Sequence, residues 1–331
     1  MQAFQFMRAN SIQHAIGAAA HASTAQQGAS VRYVAGGTTL LDLMKLDVEY
    51  PQLVIDINRL PLGEVEHTAT GLKIGALVRN ADLAQHPVVK RDYPVLSEAL
   101  LSGASGQLRN MATTSGNLLQ RTRCMYFRDT AMACNKRQPG SGCAAIAGVN
   151  RMLAVLGTSE HCIATNPSDM NVALMALDAS VVIHGLRGER QVPIGEFFVL
   201  PGGDPQRENV LEPGDLITHV LLPAPPAGTR SHYLKLRDRA SYEFALASAA
   251  VAVQVVDGHI QHVRVALGGV GTRPWRSPEA EQALKGRAPN ETAFTAAAEA
   301  ALRDARPQSQ NAFKIELARR CLRHALATAT A

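Results

Sequence analysis

The chain has 331 residues, too many for one small core and enough for two or three domains. A 46% hydrophobic content supports a large interior, and a 5% aromatic content makes that interior aliphatic. The net charge of +5 is spread along the chain without a dense basic stripe, which argues against a nucleic-acid reader and for a surface facing an anionic cofactor or an acidic partner. No apolar run reaches the roughly 20 residues of a membrane span. The opening MQAFQFMRANSIQHA has no basic segment followed by an apolar one, so no signal peptide is expected.

Residues 1–60 alternate helix and strand. SIQHAIGAAAHA reads as a helix capped by Ser11, and VRYVAGG as a strand ending in glycines. TTLLDLMKL reads as a helix with Thr38 and Thr39 in its first turn, and LVIDINRL as a buried strand. GLKIGALV, residues 71–78, is a third strand, followed by two helices, NADLAQHPVV and PVLSEALLSGA. PSDMNVALMALDASVVIHG reads as a helix running into a strand. LPAPPAGTR, residues 222–230, is the clearest linker. Beyond it, ALASAAVAVQVVDGHIQHVRVALGGV carries a hairpin signal at Asp257 and Gly258, and Ala-rich helices follow. The fold class is α+β, with βα character near the N-terminus.

Four motifs bear chemistry. VAGGTTLL runs a strand through Gly36 and Gly37 into a helix start, where glycines let a phosphate approach and helix N–H groups can meet it. A plain strand–turn–helix joint with a Thr cap is the competing interpretation, and no G-x-G-x-x-G fingerprint is present. RNMATTSGNLLQ packs Thr113, Thr114, Ser115, Gly116 and Asn117 into one polar cluster suited to a pyrophosphate, or to a tight loop with internal Ser/Thr turns. In NPSDM, Asn166 or Ser168 can cap a helix, and Asp169 can accept hydrogen bonds from a ribose or a ring.

The fourth motif is a set of cysteines, Cys124-x9-Cys134-x8-Cys143-x18-Cys162, holding four of the five thiols within 39 residues. Such a set can ligate a [4Fe–4S] cluster or a zinc ion, or be unrelated reduced thiols. Zinc favours tight C-x2–4-C pairs, which are absent; wide spacings suit a long loop wrapped around a larger object. Arg123, Arg128, Lys136 and Arg137 lie near enough in sequence to offset the charge of a thiolate-bound cluster. Cys321, in LARRCLRHAL, falls on the apolar face of a helix and reads as a core thiol.

VAGGTTLL, ATTSGNLLQR, NPSDM, DLITHVLLP, YLKLRDR and GGVGTRPWR, in this order and across essentially the whole chain, resemble the FAD-binding subunits of molybdenum hydroxylases. Those are the relatives of xanthine dehydrogenase, carbon monoxide dehydrogenase medium chains and aldehyde oxidoreductases. The cysteine segment is similar to that of the FAD subunit of periplasmic aldehyde oxidoreductases, which carries an extra [4Fe–4S] cluster; the flavin subunit of 4-hydroxybenzoyl-CoA reductase has a comparable one.

The resemblance implies an FAD domain of the vanillyl-alcohol-oxidase type in two subdomains, at 1–60 and 61–226, with an iron–sulfur insertion at about 121–165. A carbon monoxide dehydrogenase flavoprotein-like C-terminal domain would follow at 229–331. It implies that Tyr33, Val34, Ala35, Gly36, Gly37, Thr38, Thr39 and Leu40 cradle the FAD pyrophosphate, with Thr113, Thr114, Ser115, Gly116 and Asn117 opposite. Asp169 and Ile217 would contact the cofactor and Lys235 would sit near the flavin ring. Cys124, Cys134, Cys143 and Cys162 would hold the [4Fe–4S] cluster. Ser115 departs from the family, where many members have the first glycine of G-G-N.

The implied role is electron transfer: a molybdenum-cofactor large subunit does the substrate chemistry, and a small subunit with [2Fe–2S] clusters feeds FAD here. An external acceptor takes the electrons. The location would be periplasmic, by export with a partner, or cytoplasmic. The alternatives are a xanthine dehydrogenase-like or hydroxybenzoyl-CoA reductase-like flavin subunit, or a zinc-braced structural subunit. A self-sufficient FAD oxidase would need its own general base, and the 11 histidines form no constellation that supplies one.

Overall fold

The computed structural model describes residues 1–331. Three short strands, β1 (Gln5–Arg8), β2 (Val31–Val34) and β3 (Leu53–Asp56), form a parallel sheet in the order β1-β3-β2. Parallel neighbours need crossovers, which α1 (Ile12–Ala19) and α2 (Leu40–Lys45) supply. Ser11 caps α1 by accepting a hydrogen bond from the His14 N–H. Contrary to the expectation, Thr38 and Thr39 precede α2, and Thr39 makes no side-chain cap. Gly37 has φ +73°, so helical dihedrals begin only after this turn.

Next come β4 (Val65–Thr68) and β5 (Gly71–Gly75). The expected pair of helices is three: α3 (Asn80–Gln85), α4 (Pro87–Asp92) and α5 (Pro94–Ser102). Pro87 and Pro94 lack the N–H that would continue the preceding helix, so each opens a new one. Four short helices, α6 (Gly106–Met111), α7 (Thr114–Leu118), α8 (Met125–Arg128) and α9 (Ala144–Ala147), carry the polar loop and the cysteines, before the longer α10 (Asp169–Ala176). Then β6 (Ser180–Gly185), β7 (Gly188–Pro193), α11 (Ile194–Phe197) and β8 (Leu216–Pro223) complete an antiparallel sheet, β4-β5-β8-β6-β7. Its apolar face, with Ile74, Val181, Ile183 and Val220, packs against Leu83, Leu96 and Leu174 of the helices.

The remaining chain forms β9 (Arg230–Leu236), β10 (Ala247–Val256), β11 (His259–Gly268) and β12 (Trp275–Arg276), an antiparallel sheet in the order β12-β11-β10-β9. Asp257 (φ 49°) and Gly258 (φ 75°) are both left-handed, the two-residue turn that matches strand twist. On this sheet lie α12 (Pro278–Leu284), α13 (Glu291–Ala301) and α14 (Phe313–Thr330). Val251, Val253 and Val265 meet Ala297, Ala318, Leu322 and Ala325, and Cys321 is buried among them. A third, smaller core joins Leu43 and Val48 to Phe127, Leu153, Cys124, Cys134 and Cys162. No helix is long and apolar enough to cross a membrane.

Candidate functional site

The glycine turn after β2 and the segment before α7 press together. A Cβ on Gly36 would lie 1.9 Å from the Met111 carbonyl oxygen, so only glycine permits the approach. The backbone N–H groups of Gly36, Gly37, Thr38, Thr39 and Leu40 donate to no group of the chain. Five consecutive free donors beside a bare glycine turn suit a diphosphate, as a nest of N–H groups does. The six-residue α2 adds little dipole, so the loop itself supplies the polarity.

This turn lines an open cleft together with Tyr33, Val34, Ala35, Thr113, Ser115 and Ile217. Tyr33 contributes its ring, because its hydroxyl already donates to the Ala15 and Gly214 carbonyls. Burial, with Asp215 second, pushes its phenol well above the ordinary value. Ile217 lies in β8 and walls the cleft with Leu216.

The second loop differs from the expectation in how its donors are used. Thr114 N–H and hydroxyl both bond the Val78 carbonyl, Ser115 N–H bonds Ala76, and Asn117 N–H bonds Thr113. Gly116 N–H donates to the Thr113 hydroxyl, an N-cap of α7. The loop therefore faces the groove with the Thr113 and Ser115 side chains and Gly116, while Thr114 is a buried brace that lines neither half. Ser115 has no positive φ, so a serine there carries no backbone strain.

Thr38, Thr39 and Gly116 also line a second open cleft, which makes the two halves one groove. Asn117, Asp169 and Lys235 lie in this second half. Lys235 Nζ donates to Asp169 Oδ2 at 2.8 Å and to the Ser102 carbonyl at 3.1 Å. Ser168 caps α10 and donates to Asn117 Oδ1 at 2.8 Å, tying the second loop to Asp169. Asn80, Arg109, Arg123 and Phe244 also line this half, and nothing in the sequence marks Asn80, Arg109 or Phe244 as part of it. Asn80 is 4% exposed and its Oδ1 has no partner in the chain. Nothing local marks it, because its role depends on where α3 docks. Arg123 was visible as part of the basic cluster around the cysteines, and it stacks on Phe244 at 5.0 Å.

The four clustered cysteines all line one small, largely apolar pocket, and none is in a disulfide. Cys134 and Cys143 face each other across a short antiparallel bridge, closed by Asn135 N–H to the Gly142 carbonyl at 2.8 Å. Main-chain N–H groups of Phe127 and Tyr126 point at the Cys124 sulfur, and that of Ala164 at the Cys162 sulfur. No three His, Cys, Asp or Glu side chains converge closely enough to hold a single metal ion.

Ion pairs, partly exposed at Asp42 and more deeply set at Glu49 and Glu208, tie the cysteine loop to the groove. Arg128 and Arg123 both reach Asp42 of α2 at 2.9 Å. Arg121 pairs with Glu49 and with Glu208, both at 2.5 Å, and Lys136 pairs with Glu208 at 2.9 Å. Arg32 completes the group on Glu49 at 3.0 Å. Burial alone would raise the Glu208 carboxyl, but Arg121 and Lys136 overcome it and hold the pKa down at about 2.

Comparison with known proteins agrees with this geometry. Residues 2–225 match the FAD binding domain in molybdopterin dehydrogenase, and residues 232–329 match the CO dehydrogenase flavoprotein C-terminal domain. The chain is 51% identical to the aldehyde oxidoreductase FAD-binding subunit PaoB of Escherichia coli (strain K12), over 100% of this chain and 99% of that one. It is 28% identical to the glyceraldehyde dehydrogenase medium chain of Sulfolobus acidocaldarius, over 87% of this chain and 83% of its relative. Its fold matches a solved carbon monoxide dehydrogenase structure from Hydrogenophaga pseudoflava with a TM-score of 0.77 and 27% identity, covering 99% of this chain and 98% of the other. The chain belongs to the FAD-binding subunits of the molybdopterin dehydrogenases, and is one subunit of an oxidoreductase complex of the molybdenum hydroxylase type.

Proposed function

We propose that this chain is the FAD-carrying electron-transfer subunit of a molybdenum-dependent aldehyde oxidoreductase, and that it also holds one [4Fe–4S] cluster. The convergence of Cys124, Cys134, Cys143 and Cys162 on one pocket carries the cluster. The similarity to an aldehyde oxidoreductase FAD subunit over the whole chain supports the substrate class. When bound, FAD takes electrons from one-electron donors and passes on one or two. The donor would be a small partner subunit with [2Fe–2S] clusters. A large partner with the molybdenum cofactor would act on the aldehyde, and an external acceptor would take the electrons.

Within this chain, the free N–H groups of residues 36–40 hold the diphosphate, with Thr113 and Ser115 hydroxyls across the groove. Tyr33, Val34, Ala35 and Ile217 exclude water from the nucleotide half. Asp169 and Lys235 set a carboxylate and an ammonium beside the ring half. Domain limits of 1–60, 61–226 and 229–331 assign one sheet to each part, with the cysteine insertion at about 121–165.

The test is anaerobic isolation of the complex with a visible spectrum and iron, sulfide and zinc assays. Flavin bands and about four irons per chain are expected; zinc without flavin would sink the proposal. Cys143→Ser is expected to lose the iron, whereas Cys321→Ser is expected to keep it. Unchanged iron in Cys143→Ser removes that residue from the ligand set.

A further inference from the structure

Asp169 stands in the ring half with both oxygens engaged by one strand. Oδ2 accepts from Lys235 Nζ at 2.8 Å, and Oδ1 accepts from the Tyr233 hydroxyl at 2.5 Å. Tyr233 and Lys235 are two residues apart on β9, so both project from the same face. Lys235 lines the groove; Tyr233, 4% exposed, lies behind Asp169 and does not. Burial, then the Asp169 charge, pushes the Tyr233 phenol well above its ordinary pKa, so it remains a donor at any working pH. On the remaining side, a Cβ on Gly103 would lie 3.3 Å from Oδ2, so the end of α5 closes against the carboxylate.

We propose that Tyr233 is a positioning residue for FAD: by holding Oδ1 of Asp169 it fixes the carboxylate plane presented to the flavin. The inference rests on the ring half of the groove being the flavin site. One donor, Lys235, leaves the Asp169 carboxylate free to turn, because the terminal torsion of an aspartate is broad. Two donors on two oxygens from one rigid strand lock it. A ligand N–H then meets a lone pair already aimed, without the cost of ordering it on binding.

The flavin-stripped full chain, titrated with FAD, tests this. Tyr233→Phe keeps the ring and removes the hydroxyl; the FAD dissociation constant is expected to rise about tenfold. Tyr233→Met, a second side chain without a hydroxyl, is expected to give the same loss, and melting of the flavin-free variants verifies their folding. In an Asp169→Ala background the hydroxyl has no carboxylate to hold, so Tyr233→Phe is expected to add nothing to the loss of FAD affinity. Tyr93 is the control: it is 3% exposed, its hydroxyl donates to the Pro223 carbonyl at 3.2 Å, and it is remote from the groove lining. Tyr93→Phe is expected to lower the melting temperature without moving FAD affinity. Wild-type affinity in Tyr233→Phe, or an undiminished loss in the Asp169→Ala background, overturns the proposal. A wild-type chain that binds no FAD would instead refute the cofactor assignment.

Discussion

Gly36→Ala isolates the contact on which the groove is built. The added Cβ would sit 1.9 Å from the Met111 oxygen and 2.7 Å from its carbonyl carbon, where real Cβ contacts do not fall below 3.0 Å. The obstacle is backbone, so no side chain can swing away, and one segment must retreat by about 1 Å. Retreat is resisted, because Asn80 N–H holds the Ala112 carbonyl at 2.9 Å and Arg79 holds the Met111 carbonyl and pairs with Thr113. Overpacking of this kind costs about 1–3 kcal/mol. If that strain falls on the groove, FAD affinity drops by roughly 10-fold to 100-fold, at about 1.4 kcal/mol per decade. Flavin fluorescence titration of the stripped chain measures it, alongside melting with and without FAD. Gly17→Ala is the matched control: nothing lies within 4 Å of its Cβ, and it sits inside α1, where alanine is better by about 0.5–1 kcal/mol. Gly36→Ala that binds FAD within about twofold of wild type would show that the loop contact does not shape the site.

Glu208 makes stability pH-dependent with a definite sign. Its folded pKa of about 2 lies below the ordinary 4.5, so its contribution is complete above pH 4.5 and lost as pH falls toward 2. The contribution is on the order of 3 kcal/mol; Glu208→Gln is expected to flatten acid melting in that window, and an unchanged acid slope would count against the network. Ser168→Ala removes a helix cap and the bond to Asn117, and is expected to cost about 1 kcal/mol in melting. Lys314 is wholly buried, with Nζ donating to the carbonyls of Met152, Leu153 and Gly269 at 2.5–3.0 Å. Lys314→Met strips the Gly269 carbonyl of its donor and leaves those of Met152 and Leu153 only the longer bonds from Thr165 and Asn311, and a loss of roughly 2–4 kcal/mol is expected by denaturant titration; a neutral result would mean that water enters in its place.

Local chemistry made much of the fold readable. Ser11 announced α1, Asp257-Gly258 announced the hairpin, and the Pro/Gly run at 222–230 marked the passage to the last sheet. These signals act within a few residues, through caps, turn dihedrals and period-two burial. Pro87 and Pro94 are equally local signals, and each opens a new helix, so the segment expected as two helices forms three. The first glycine loop and all four cysteines were recognisable for the same reason: their chemistry is in the residue type.

What the sequence by itself determined is this inventory of donors, thiols and bends, and their order along the chain. It also showed that the second loop is polar, but not that five of its donors would be spent on Val78, Ala76 and its own turn. Only the tertiary structure decided which N–H groups remain free, that Asn80 lines the groove with Tyr233 behind Asp169, and that Glu49 and Glu208 bind the cysteine loop to it. The physical reason is range. A cap or a turn is settled by neighbours in the chain, whereas a hydrogen bond between Tyr233 and Asp169, 64 residues apart, exists only once β9 and α10 have docked.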